Sequence, residues 1–190
     1  MRVKTVRLTE QVYSEATKRL AKLPIFDGSH RKEEANQVGV LGEIVVENWL
    51  NDISILFHSE LYKTTHDYVL ADRVSTFEVK TKDRTVQPRG RYECSVPLYN
   101  HAHQVPTYYM FVSLERSRDD QRKSLDRFHT AYILGGLNQK QLHAYGKVWR
   151  AGETDEDNGT TFWTDCINVP IVKLTPLDLV VEKWRDIPLM

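Results

Sequence analysis

Two short runs near the middle of the chain limit its fold more than any other feature. His66-Asp67-Tyr68-Val69-Leu70 and Phe77-Glu78-Val79-Lys80-Thr81-Lys82 both have strand-like content. The short polar link Ala71-Asp72-Arg73-Val74 between them predicts a hairpin. Alternate side chains of a strand share a face. Glu78, Lys80 and Lys82 therefore point one way, and Phe77, Val79 and Thr81 point the other, mostly apolar, way. A carboxylate and an ammonium about 6–7 Å apart along one strand face then stand beside a second carboxylate, Asp67, on the partner strand. Oxygen ligands beside a fixed cation suit a divalent metal ion and a phosphate.

A Glu-x-Lys triplet alone is a common pattern. Here it lies on an apolar strand, where Glu and Lys are disfavoured. The plain alternative is a cross-strand ion pair on a solvent-facing sheet surface. Against it stands the cost of burying carboxylates without a partner.

The flanking elements predict an α/β chain with a mixed central sheet flanked by helices. Lys4 to Leu8 reads as a strand, and Thr9 N-caps a helix to about Leu23 that Pro24 ends. A stronger helix runs from about Lys32 to Leu50, with Val38, Leu41, Val45 and Trp49 at helical spacing. Gly39 and Gly42 each cost that helix about 1 kcal/mol relative to Ala, which close packing against a sheet would justify. Glu43, next to Gly42, is either a solvent-facing charge or a carboxylate aimed at the hairpin. Ile53 to His58, Thr107 to Leu114 and Phe128 to Leu137 read as strands, the last closed by Gly135-Gly136. Tyr92 to Val96 is ambiguous, and Pro97 to Gln104 predicts a short helix containing His101 and His103. Gln139 to Trp149 reads as a helix, Ala151 to Thr160 as an acidic loop, Thr161 to Val169 as a strand. Pro176 to Asp186 reads as a last amphipathic helix with Pro in its first turn.

Composition narrows the setting. The chain has 190 residues, 41% hydrophobic and 27% charged, enough for one domain over residues 1–190 with a real core. Its core spans about 32–149, with a C-terminal strand–helix extension at 161–187. With 26 basic and 26 acidic residues, whole-chain charge gives no support to a passive polyanion-binding module. Two cysteines, Cys94 and Cys166, make neither a disulfide framework nor a four-ligand zinc site. No signal peptide or long apolar segment is seen. The expected setting is intracellular and cytoplasmic, without a membrane.

Gly42-Glu43 on a helix, Asp67 on a strand and Glu78-Val79-Lys80 on the next resemble the PD-(D/E)XK nuclease superfamily, with its restriction-endonuclease-like fold. The likeness covers about Lys32 to Leu114. The whole chain is similar to small phage- or prophage-type members, for which the compartment would be the host cytoplasm. One departure is His66, which stands where the family pattern has Pro.

The resemblance implies metal-dependent hydrolysis of DNA phosphodiester bonds, by an endonuclease. Asp67 and Glu78 would bind Mg²⁺ or Mn²⁺, with the Val79 carbonyl as a third ligand. Glu43 would hold a metal-bound water or a second ion, and Lys80 would position the attacking water. Lys82, Arg84, Arg89 and Arg91 follow the site strand and would contact phosphates; a solvated loop is the alternative. Gln104 and Tyr108 have the Gln-x-x-x-Tyr spacing of the recombination-exonuclease branch, though Pro106 interrupts the helix that carries it there. A homodimer is compatible with cutting both strands. The alternative function is a nuclease-fold module that binds nucleic acid or protein without cleaving.

Overall fold

The computed structural model describes residues 3–22, 33–60, 65–98 and 105–188. In chain order the elements begin with strand β1 (Lys4–Arg7), helix α1 (Glu10–Leu20) and helix α2 (Glu33–Asp52). Strands β2 (Phe57–Ser59), β3 (Tyr68–Leu70), β4 (Thr76–Arg84), β5 (Glu93–Pro97), β6 (Tyr108–Arg116) and β7 (Phe128–Asn138) follow. The chain continues through helix α3 (Gln139–Tyr145), β8 (Lys147–Trp149), β9 (Thr154–Asp155), β10 (Thr160–Thr161), β11 (Cys166–Pro170) and helix α4 (Leu177–Arg185). Among the described residues no helix is long and apolar enough to cross a membrane.

Six strands form one mixed sheet in the order β1-β7-β6-β4-β3-β2. β4 and β6 run parallel and the other neighbours antiparallel. A second, antiparallel sheet has the order β5-β11-β8. The alternation along β4 sorts its side chains between two cores. Phe77 and Val79 join the apolar residues of α1, α2 and α4, among them Val12, Leu41, Val45 and Trp184. On the opposite face, Tyr109 and Phe111 of β6 pack with Cys94, Val96, Ile167 and Val169 of the small sheet and Leu142 of α3. The molecule is thus layered: three helices, the mixed sheet, then the small sheet with α3. That arrangement is mixed α/β.

The predicted hairpin forms. Tyr68 pairs with Phe77 and Val69 with Thr76, and Asp72 holds the turn by accepting from Val74 N, Ser75 N and the Ser75 hydroxyl. The aromatic pairs beneath it are close. Tyr68 and Phe77 stack at 4.6 Å, and the Phe77 ring lies 4.9 Å from that of Trp184. Each such pair adds about 0.5–1.5 kcal/mol beyond the area it buries.

Several expectations change. The long helix lies on the Phe77/Val79/Thr81 face of β4, so Glu43 does not sit over the face bearing Glu78 and Lys80. The strand predicted at Ile53–His58 is short and starts at Phe57. The ambiguous Tyr92–Val96 run supplies β5, because its alternate residues Cys94 and Val96 bury against the main sheet. The helix after β7 stops at Tyr145: Gly146 follows, and the chain turns into β8, which pairs with β11. Pro97 ends β5, and residues 99–104, with His101, His103 and Gln104, lie outside the described residues. Tyr108 opens β6, within the strand predicted at Thr107 to Leu114. Gly135-Gly136 do not end β7. A register shift at Phe111/Val112 leaves Leu134 as the extra residue, and Gly135 adopts φ +145°. Gly136 exchanges backbone hydrogen bonds with Thr175 at 3.1 and 3.0 Å. A Cβ on Gly135 would come within 2.5 Å of the Thr175 carbonyl oxygen, so this bulge admits no side chain.

The two α2 glycines separate cleanly. A Cβ on Gly42 would lie 1.9 Å from Thr81 Oγ1 and 2.9 Å from Thr81 Cβ, whereas one on Gly39 meets only Glu43 Oε1 at 3.7 Å. Only Gly42 carries its helix penalty for packing. We predict that Gly39→Ala gains about 0.5–1 kcal/mol. Gly42→Ala loses about 1–3 kcal/mol through overpacking, in spite of the same propensity gain. Thermal denaturation checks this: Tm should rise for the first and fall for the second, and a Gly42→Ala protein as stable as the parent would contradict the packing argument.

Candidate active site

β3 is three residues long while β4 has nine, so the edge of β4 is left without a strand partner beyond Phe77. Backbone groups left open in this way need another partner. Asp67, the residue before β3, meets that need. Its N–H donates to the Phe77 carbonyl at 3.3 Å, and its Oδ2 accepts from Val79 N–H at 2.9 Å. The alternation of backbone groups along a strand turns the Val79 carbonyl toward the same open edge.

Glu78 lies between these two contacts with its side chain on the far face, only 3% exposed. One oxygen, Oε1, accepts from Lys80 Nζ, two residues along the same face. The other, Oε2, is buried with no hydrogen-bond partner among the described residues. A buried carboxylate oxygen left unmatched costs on the order of 1–3 kcal/mol or more.

Glu43 reaches the same region from α2 and is half-buried. The contact of Gly42 with Thr81 brings that turn of the helix down onto β4. Electrostatics tie the carboxyls together. The Glu43 carboxyl is raised well above its ordinary range, first by burial, then by the charges of Asp67 and Glu47, with Arg19 opposing. Asp67 is raised by burial and by Glu78, against the pull of the Val79 N–H and Lys80. Glu78 is raised by burial, with Lys80 and then His66 pulling it back.

The structure therefore joins Asp67 to Val79 and Glu78 to Lys80 along β4, and Glu43 is near enough to feel the charges of Asp67 and Glu78. It adds residues that the sequence did not single out. Glu47 takes two hydrogen bonds from Arg19 of α1, at 2.7 and 2.6 Å, and one from the Tyr68 hydroxyl at 2.7 Å. Its signal was present in the spacing, since Glu43 and Glu47 are four apart and share a helix face. Glu60 and His66 meet at 2.7 Å, a pairing no local spacing reveals.

Lys82 and Arg84 have other work than open phosphate contact. Lys82 Nζ donates to the Glu93 carbonyl at 3.3 Å and to Ser95 Oγ at 3.0 Å. Arg84 donates to the same carbonyl at 2.7 Å and to Ser113 Oγ at 2.9 Å, and its guanidinium lies 5.2 Å from the centre of the Tyr92 ring. Burial lowers the pKa of both groups. They tie the two sheets together, and Arg84 stands six residues beyond Glu78, about 20 Å along the strand. Arg89 and Arg91 are exposed. Of the charged run after β6, Arg116 pairs with Asp83, and Arg122 pairs with Asp120 and Asp126.

Among the described residues no three Asp, Glu, His or Cys side chains stand close enough to hold a metal ion by themselves. The donors at the β4 edge are nonetheless all oxygen: two carboxylates and a backbone carbonyl. Hard divalent cations such as Mg²⁺ prefer that set and retain waters for their remaining positions. The unmatched Glu78 oxygen fits such an ion. No family model matches the chain, and no curated protein matches it.

The raised carboxyls carry a sign. Between the ordinary carboxylate range, about pH 4–5, and their raised values, the folded protein holds more protons than the unfolded chain. Stability contributed by these groups therefore falls as pH rises through that interval. Glu43→Gln removes one such charge. Its Tm, relative to the parent protein, should be more favourable at pH 8 than at pH 5. An equal offset at both values would show that Glu43 bears no folding penalty.

Proposed function

We propose that this chain is a metal-dependent nuclease with a restriction-endonuclease-like core, acting on DNA as an endonuclease. One observation carries the reading. Asp67 caps the open edge of β4 through Val79 N–H, beside a buried Glu78 that has one oxygen bound to Lys80 and one without a hydrogen-bond partner among the described residues. The helix carrying Glu43 and the order of elements around the hairpin support it.

Asp67, Glu78 and the Val79 carbonyl would hold Mg²⁺ or Mn²⁺, and Glu43 would hold a water bound to that ion or a second ion. A bound ion of this kind lowers the pKa of water and offsets negative charge developing at phosphorus. Lys80, fixed by its strand and by Glu78, would orient the attacking water and stabilise charge on the phosphoryl oxygens. Burial around Glu78 strengthens each of these interactions by lowering the local dielectric. Arg89 and Arg91 remain as exposed cations that could meet flanking phosphates, whereas Lys82 and Arg84 would act by holding the sheets in register.

The test is incubation of the folded protein with closed circular DNA, linear DNA and RNA, in Mg²⁺, Mn²⁺ or EDTA. Nicking or linearisation of circles that EDTA abolishes is the expected result. Glu78→Gln and Lys80→Ala should each reduce the rate at least about 10²-fold, the scale of losing an electrostatic stabiliser, with an unchanged circular dichroism spectrum. Degradation confined to linear ends would reassign the activity to an exonuclease. Absence of cleavage in every metal would leave a binding module, and full activity in Lys80→Ala would remove the lysine from the mechanism.

A further inference from the structure

β2 and β3 pair over three residues, ending at Ser59 and Tyr68. Just past that last pair the two segments are still joined, by a single residue acting twice. Glu60 N–H donates to the Asp67 carbonyl at 2.8 Å, and Glu60 Oε2 lies 2.7 Å from His66 Nε2. His66 Nδ1 in turn lies 2.9 Å from the Thr65 hydroxyl. With its Nε2 proton given to Glu60, the ring accepts the Thr65 hydroxyl at Nδ1, and neither nitrogen is left for a substrate. The side chains of His66 and Glu60 are only 13% and 21% exposed. The imidazole is therefore held from both sides, on the residue next to Asp67.

We propose that Glu60 and His66 form a clamp that positions the Asp67 carboxylate at the edge of β4. This rests on the reading of Asp67 as a cation ligand. Asp67 is fixed at three points: its N–H on Phe77, its carbonyl on Glu60, its carboxylate on Val79. β3 does not begin until Tyr68, so residue 66 lies outside the paired strands and its side-chain bonds set how the chain enters Asp67. The clamp supplies that constraint. Groups that orient a metal ligand without touching the metal typically change metal affinity or activity by about 10–100-fold when removed. His66 is accordingly a positioning residue and not a catalytic one.

The test is titration of the DNA-free protein with Mn²⁺, followed by the electron paramagnetic resonance signal of the free ion, with cleavage measured in parallel. Glu60→Ala and His66→Ala should each weaken Mn²⁺ binding, and raise the Mn²⁺ needed for half-maximal cleavage, by about tenfold or more. The rate at saturating Mn²⁺ should return close to that of the parent. Glu60→Gln, whose amide oxygen still accepts from Nε2–H, should bind Mn²⁺ like the parent. His66→Asn, too short to reach Glu60, stands in for His66→Ala if the latter does not fold. Unchanged Mn²⁺ affinity in the folded alanine or asparagine variants overturns the clamp. So does a Glu60→Gln protein as weak as Glu60→Ala, since charge rather than position would then be at work. A parent protein that binds no Mn²⁺ overturns the ligand reading itself, an outcome visible before any variant is compared.

Discussion

The close approach of Gly42 of α2 to Thr81 of β4 sets the depth at which the helix lies on the sheet. No side chain can intervene where a Cβ would fall 1.9 Å from the threonine hydroxyl oxygen. At that separation the next residue, Glu43, lies where it feels the charges of Asp67 and Glu78. A bulkier residue at 42 would lift the helix and move Glu43 away from the carboxylates, as well as opening the packing of Leu41 and Val45. Stability and site geometry meet at one contact. The neighbouring Gly39 shows the contrast, since its space would admit a methyl group.

The cost of the arrangement is electrostatic. Glu43, Glu47, Asp67 and Glu78 crowd one end of β4; burial raises Glu43, Asp67 and Glu78, and neighbouring carboxylates raise Glu43 and Asp67 further. The chain offsets part of this with its own cations. Arg19 reaches across from α1 to take both oxygens of Glu47, Lys80 takes one oxygen of Glu78, and the Val79 N–H takes one of Asp67. The offset is incomplete, because Glu78 Oε2 has no hydrogen-bond partner among the described residues. Well-packed interiors rarely leave such an atom unmatched.

The hairpin, the two faces of β4 and the α2 stripe were legible because each follows from a local period. Phe77, Val79 and Thr81 alternate with Glu78, Lys80 and Lys82 at the strand period, and that alternation alone sends one set to the helices. What the period cannot give is the identity of the layer on each side. Element order leaves open which face of β4 the long helix covers, and the polar face is met by β5, a strand from a run too short and mixed to be assigned. The same gap explains Lys82 and Arg84. Their proximity in sequence to Lys80 made them phosphate contacts, whereas the small sheet, invisible locally, turns them into bolts between layers. Gly146 ending α3 and the Leu134 bulge are tertiary outcomes too, set by β11 and Thr175.

These contacts also bear on the choice between a cleaving and a purely binding protein. Lys80 and Lys82 share a face and stand one strand period apart, but their fates diverge. Lys82 is satisfied by a backbone carbonyl and a serine hydroxyl, partners that hold a lysine without demanding a particular function. Lys80 is matched to a carboxylate whose second oxygen has no partner among the described residues. A module that only bound a surface would lose little by replacing the Glu78–Lys80 pair with apolar residues of similar size, since a buried ion pair seldom stabilises more than such a replacement. The arrangement makes sense when that oxygen has a cation to meet.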